Sequence, residues 1–239
     1  MPCWSIHLAI ARRINKELNY NKNIFYFANI IPDIDCDITF NRYDAHFYGT
    51  LKCEGCPNEE LPDIDRFLKK YRKDLKDPLI CGYYCHLLSD YYYNKEIYTK
   101  YYVQDENNNI IGIKQLNGKT IFIENDLNGN IKENYKHKDF ESYGKELYKN
   151  KRVEFPVYDK DILNSISKLK INCLNEIQIK KTIEMITIRL TSWNTYSLHE
   201  KIFGIKYFMI RKKDLDILYE NCIKYIIEEL KKNQIITYN

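Results

Sequence analysis

Apolar residues recur every three to four positions along most of this chain, the spacing of one face of an α-helix. Ile6, Ala9, Ile10 and Ile14 form the first such stripe and predict a helix over Trp4–Leu18, with Ser5 as a candidate N-cap. Asn21–Ile31 continues as a short apolar segment, and Pro32 is expected to end it because the residue before proline avoids the helical region. Lys52–Leu61 is polar and reads as a loop. A charged helix follows from Pro62, with Ile64, Phe67, Leu68 and Tyr71 turned inward. Asp77-Pro78 then opens a longer helix to about Asn94, with proline at the first helical position.

The period changes between Tyr101 and Glu124. Ile110, Ile111 and Ile113, then Ile121, Phe122 and Ile123, flank Asn117-Gly118, a strong hairpin signal. A small β-hairpin inserted at about 109–123 is therefore expected in a mainly α protein. Asp126–Asn130 reads as a further turn, Lys136–Lys149, Lys160–Leu169 and Asn175–Thr195 as helices, and Phe203–Ile210 as a short helix or a strand. Lys212–Lys232 closes the pattern with Leu215, Leu218, Cys222, Ile226 and Leu230 on one face. No repeat and no linker divides the 239 residues, so residues 1–239 read as a single domain.

Composition narrows this picture without directing it. The net charge of +4 comes from interspersed acids and bases, too mild a balance to argue for nucleic acid; contact with an anionic membrane surface stays open. The 22 tyrosines suit amphipathic core edges, or a ligand groove. The first residues do not follow a signal-peptide pattern, and no apolar run approaches a membrane span. Eight cysteines in such a chain suggest reduced thiols and a cytoplasmic protein. Cys53 and Cys56 form a lone C-x-x-C, which is loop thiols or half a metal site.

Candidate chemistry centres on Cys81–Asp90. His86 and Asp90 are four apart, so a helix places imidazole and carboxylate on one face. A hydrogen bond to each other or to backbone satisfies such a pair, and so does a metal ion. Asp33, Asp35 and Asp37 offer hard oxygen ligands at alternate positions. Of five histidines, His7, His46 and His86 precede residue 90. Together His7, Asp33, His46, His86 and Asp90 suit Zn²⁺ or a similar divalent ion. Tyr43, Phe47 and Tyr48 beside His46 are candidates for an aromatic substrate wall, or for core.

The residues Trp4-Ser5-Ile6-His7-Leu8, Ala28-Asn29-Ile30-Ile31-Pro32-Asp33, His46 and Gly82–Asp90 share their order and spacing with a known pattern. On them the first 95 or so residues resemble the zinc-dependent phospholipase C family, whose superfamily includes the S1/P1 single-strand nucleases. The look is that of its smaller clostridial-type members. The resemblance implies a multi-helix bundle with a zinc cluster in a cleft. It implies that Asp33, His46, His86 and Asp90 hold one zinc and that His7 with a bridging Asp90 contributes to a second. A third zinc would fall to His137 and Glu141, spaced H-x3-E, although no histidine lies between Asp90 and His137 to complete it. His199 reads as a surface residue. In the secreted members a terminal tryptophan binds metal through its amine; here Met1-Pro2-Cys3 precede Trp4.

The function so implied is hydrolysis of a phosphodiester or phospholipid head group by metal-activated water, with Asp33 orienting or deprotonating the water. One to three zinc ions are implied, with two the expectation. A single-strand nuclease and a catalytically inactive metal-binding helical protein are the alternatives.

Overall fold

Helix α5 (Pro78–Tyr101) runs through the middle of the molecule, with Leu79 through Asp90 buried without a break. A helix stretch that is apolar on most sides belongs in an interior, and the other elements pack around this one. The computed structural model describes residues 2–34, 40–123, 131–169, 171, 173–192, 204 and 206–237. Its elements in order are α1 (Trp4–Leu18), α2 (Lys22–Ala28), a 3-10 turn (Ile31–Asp33), α3 (Arg42–Ala45), β1 (Leu51–Cys53), β2 (Cys56–Leu61) and α4 (Ile64–Tyr71). After α5 come β3 (Tyr102–Gln104), β4 (Ile110–Lys114), β5 (Thr120–Phe122), α6 (Ile131–Lys149), α7 (Lys160–Ile166), α8 (Glu176–Ser192) and α9 (Lys212–Lys232). The protein is mainly helical, as expected, with two small antiparallel sheets. No described helix is long and apolar enough to cross a membrane.

Helix α2 packs most closely on α5, and Gly82 is the reason. A Cβ there would sit 2.6 Å from both the Ala28 Cβ and the Phe25 carbonyl oxygen, so only glycine allows the two helices this approach. Phe25, Phe27 and Ala28 of α2, Ile6, Ile10 and Ile14 of α1, and Cys222 and Ile226 of α9 complete the surrounding core. α6 lies against α1 through Gly144, whose Cα side meets Cys3 and Ser5.

The hairpin expected at Asn117-Gly118 is present as β4–β5. Gly118 takes φ +80°, and the Asn117 side chain accepts the Lys119 amide at 2.9 Å. The chain leaving α5 adds β3 as a third strand beside β4.

Three expectations need correction. Lys52–Leu61 is not a loop: Leu51–Cys53 and Cys56–Leu61 pair as a hairpin, with Cys53 opposite Cys56. Its strand exposes a polar face and buries only Cys53, Cys56 and Leu61, so its composition reads as a surface loop. The second helix stops at Ala28, before Pro32, with Asn29 as its C-cap; Pro32 lies inside the 3-10 turn. Residues 206–210 form neither helix nor strand. Their place is set by Asp139, whose carboxylate accepts the amides of Phe208, Met209 and Ile210, each at 2.7 Å. The turn expected at Asp126–Asn130 lies outside the described residues, as do Asp35, Asp37 and His199.

Candidate metal centre

Four separate elements deliver side chains to one buried point. α5 supplies His86 and Asp90 from one face. α1 supplies His7, the 3-10 turn supplies Asp33, and His46 caps the C-terminal end of α3. All three imidazoles and Asp90 are 0% exposed, and the Asp33 side chain is 3% exposed. Within this group the nitrogens and oxygens divide into two overlapping sets of potential ligands, His7/His86/Asp90 and Asp33/His46/His86.

Hydrogen bonds on the far side of each ring decide which nitrogen faces the centre. His86 Nδ1 lies 2.8 Å from the Asn29 carbonyl, and His46 Nδ1 lies 2.6 Å from the Arg42 carbonyl. A carbonyl only accepts, so each Nδ1 carries the hydrogen and each neutral ring turns a bare Nε2 inward. His7 is held the same way through one intermediate. The Ser89 hydroxyl donates to the His86 carbonyl at 2.8 Å, which leaves its oxygen to accept from His7 Nδ1 at 2.9 Å. Metal-binding histidines are oriented by this kind of outer contact.

The inward atoms crowd together. His46 Nε2 and His86 Nε2 are 3.1 Å apart. Asp90 Oδ2 lies 3.1 Å from His46 Nε2 and 3.3 Å from His86 Nε2, and Asp33 Oδ1 lies 3.5 Å from His46 Nε2. Four ligands around a tetrahedral zinc, each at about 2.0–2.1 Å, stand about 3.3 Å from one another. The measured spacings bracket that value. On the other side Asp90 Oδ1 lies 3.3 Å from His7 Nε2. The two oxygens of Asp90 thus serve different neighbours, as in a carboxylate that bridges. His7 Nε2 and both Asp90 oxygens are buried without a hydrogen-bond partner. Buried polar atoms left so are costly unless a cation joins them, and the donor set fits a divalent ion.

Proton affinities follow from the same crowding. Burial works against charge on His46, but the carboxylates of Asp33 and Asp90 outweigh it and raise its pKa to about 9. Burial and the nearby His86 ring lower His7 to about 4, which Asp90 offsets only in part. Burial would raise both carboxyl groups; His46, His86 and Arg42 hold Asp33 well below the usual range, and the three imidazoles do so for Asp90.

Of this group Asp33 also lines a cleft, of about 250 Å³, whose walls include Trp4, Arg42, His137, Glu141 and Arg189. Arg42 Nη2 donates to Asp33 Oδ1 at 2.7 Å. His137 and Glu141 reach the cleft but not the buried cluster, and Glu141 accepts from Arg189 Nη2 at 2.9 Å. Tyr43, Phe47 and Tyr48, candidates for an aromatic wall or for core, divide. Phe47 takes φ +57° and turns into the core against Phe67 and Tyr83, so it is a packing residue rather than a wall of the cleft. Tyr43 is exposed and donates to Glu60. Tyr48 lies parallel to the His46 ring at 5.5 Å. Among the described residues neither Cys53 nor Cys56 joins a potential metal group.

Sequence reasoning gave no role to Asn29, Arg42, Ser89 or Arg189. Ser89 had a usable signal, a small polar residue one turn after His86 in a largely apolar stretch of helix. Arg189 had none, because the cleft is closed by a helix distant in sequence. Compared with known proteins, the chain matches no protein-family model, no curated protein and no solved structure.

Proposed function

We propose that the protein is a zinc-dependent phosphodiester hydrolase of the phospholipase C type. The observation that carries this reading is the set of three inward Nε2 atoms around Asp90, joined through Asp33 to a cleft bearing two arginines. Asp33, His46, His86 and Asp90 would hold a zinc ion, which when bound would supply Lewis acidity, lowering the pKa of water and neutralising phosphate charge. His7 and the outer oxygen of Asp90 would be the chain's ligands towards a second ion.

The remaining chemistry belongs to the chain. Asp33 is where the centre meets the cleft, so its carboxylate orients the water that attacks phosphorus. Held ionised by His46 and Arg42, it is a weak proton acceptor and positions rather than deprotonates. The Arg42 guanidinium pairs with a non-bridging phosphate oxygen. Water adds at phosphorus, the ester alcohol leaves, and the water's proton passes to the departing oxygen.

A second reading draws on a specific observation. Four protein donors at tetrahedral spacing describe a closed site, the mark of a structural ion, whereas catalytic sites keep a position open. Arg42→Ala, which removes a cleft guanidinium and no ligand, separates the two. Elemental analysis of wild type and variant, with chelator-sensitive hydrolysis of bis(p-nitrophenyl) phosphate, is the measurement. The hydrolase reading expects retained zinc and a loss of turnover of at least about a hundredfold in the variant. Zinc in both proteins with no turnover on any phosphodiester in wild type leaves the structural reading.

A further inference from the structure

The cleft beside Asp33 contains the two groups that a positively charged head group would need, an indole and a nearby carboxylate. Trp4 offers an aromatic face, and Glu141 offers the charge. Both are already engaged by one side chain. The Arg189 guanidinium carbon stands 5.5 Å from the centre of the Trp4 ring. Its Nη2 reaches Glu141 Oε1 at 2.9 Å. Arg189 therefore stands where a quaternary ammonium would stand, held by the same two attractions.

A second arginine reinforces this. Arg42 bonds Asp33 from α3, while Arg189 comes from α8, so guanidinium groups face the cleft from two elements. Guanidinium forks match phosphate and carboxylate oxygens and repel ammonium. A ligand crossing the cleft meets two guanidinium groups, each paired with a carboxylate, Asp33 or Glu141, that lines the same cleft.

We infer that Arg189 is a built-in cation that sets head-group specificity: the cleft takes a phosphodiester whose head group is anionic or uncharged and excludes choline-type zwitterions. This rests on the hydrolase reading of the site. Arg189 is a specificity residue here and takes no part in bond breaking.

The test uses the zinc-loaded full chain and two ligands with a common glycerophosphate skeleton, glycerophosphoglycerol and glycerophosphocholine. Calorimetric titration reads binding separately from turnover. In wild type the anion is expected to bind about tenfold more tightly, the scale of one charge contact. In Arg189→Ala, which uncovers Trp4 and Glu141, the preference is expected to vanish or invert, with zinc content unchanged. Arg189→Lys keeps the charge and is expected to keep the preference. Equal or tighter binding of glycerophosphocholine by wild type overturns the inference. So does an equal loss of both ligands in Arg189→Ala, or failure of wild type to bind either. The expected binding order without hydrolysis of any phosphodiester sinks the hydrolase reading and leaves the charge selectivity standing.

Discussion

His46 Nε2 and His86 Nε2 face each other at 3.1 Å, each on a ring whose other nitrogen is bound to a backbone carbonyl. Two neutral rings so held have no hydrogen to place between them, and their lone pairs repel. A cation resolves the conflict, either a shared proton or a metal ion. Asp90 Oδ2 beside both nitrogens raises the need.

Stripping metal should therefore cost stability as well as activity. At free zinc a hundred to a thousand times the dissociation constant, binding to the folded state contributes about 3–4 kcal/mol. Urea denaturation before and after dialysis against a chelator is the check. A denaturation midpoint that does not move on chelation, and does not recover on adding zinc, contradicts a bound ion.

The competing proton gives this binding a pH dependence. His46 titrates at about 9 in the metal-free chain, so below that pH an ion must displace a proton. Apparent zinc affinity should rise with pH, by up to about tenfold per unit, and level off above the His46 value. The metal-free chain should itself be most stable near pH 6.5. His46, raised from 6.5 to about 9, contributes stability that is complete below 6.5 and is lost as pH climbs through 9. His7, lowered from 6.5 to about 4, contributes in the opposite sense: its share is present above 6.5 and is lost as pH falls through 4. Asp33 and Asp90, both held low, add to the loss on the acid side. Zinc affinity that stays flat between pH 6 and 9 contradicts the assignment.

How much of this site can be read in the residues depends on what holds each one. His86 and Asp90 share a helix, and the helical period alone puts them together. Asn117-Gly118 likewise marks its own turn, because the backbone there needs a positive φ. Asp33, His46 and His7 come from other elements, so local pattern cannot join them. What suggests the grouping is their residue types, which with His86 and Asp90 make three imidazoles and two carboxylates that together suit a divalent ion. Where local chemistry misleads, packing has decided. The Cys53–Cys56 hairpin has a polar outer face and only three buried residues, and α2 stops at Ala28 so that the Asn29 carbonyl can reach His86. Phe47, a candidate for wall or for core, turns inward because the chain after α3 reverses through it.

Ser89 is the smallest part of the centre that can be tested alone. Its hydroxyl is committed to the His86 carbonyl, so it can only accept from His7. Ser89→Ala removes that acceptor and frees the His7 ring to exchange tautomers. Outer contacts of this kind are worth about 10–100-fold in metal affinity, and the loss should fall on the ion nearest His7. Nitrogen-15 spectra of the metal-free wild type should show His7 neutral and protonated at Nδ1. A wild-type His7 protonated at Nε2 sinks the argument whatever the variant does.

Gly82 tests whether helix packing, rather than the ligands alone, sets the site. Its missing side chain lets α5 meet α2 where Phe25 and Ala28 lie, and Asn29 follows directly as the cap of α2. The Asn29 carbonyl is what orients His86. A methyl group at 82 would overlap the Phe25 carbonyl oxygen and the Ala28 Cβ, each at 2.6 Å, and one of those is backbone that cannot turn aside. In an exposed helix glycine to alanine gains about 1 kcal/mol. Here overpacking costs about 1–3 kcal/mol instead, and α2 is pushed outward. Gly82→Ala should unfold at lower urea and bind zinc more weakly, although no ligand has changed. A variant of wild-type or greater stability with unaltered zinc affinity means that α2 does not hold His86 in place.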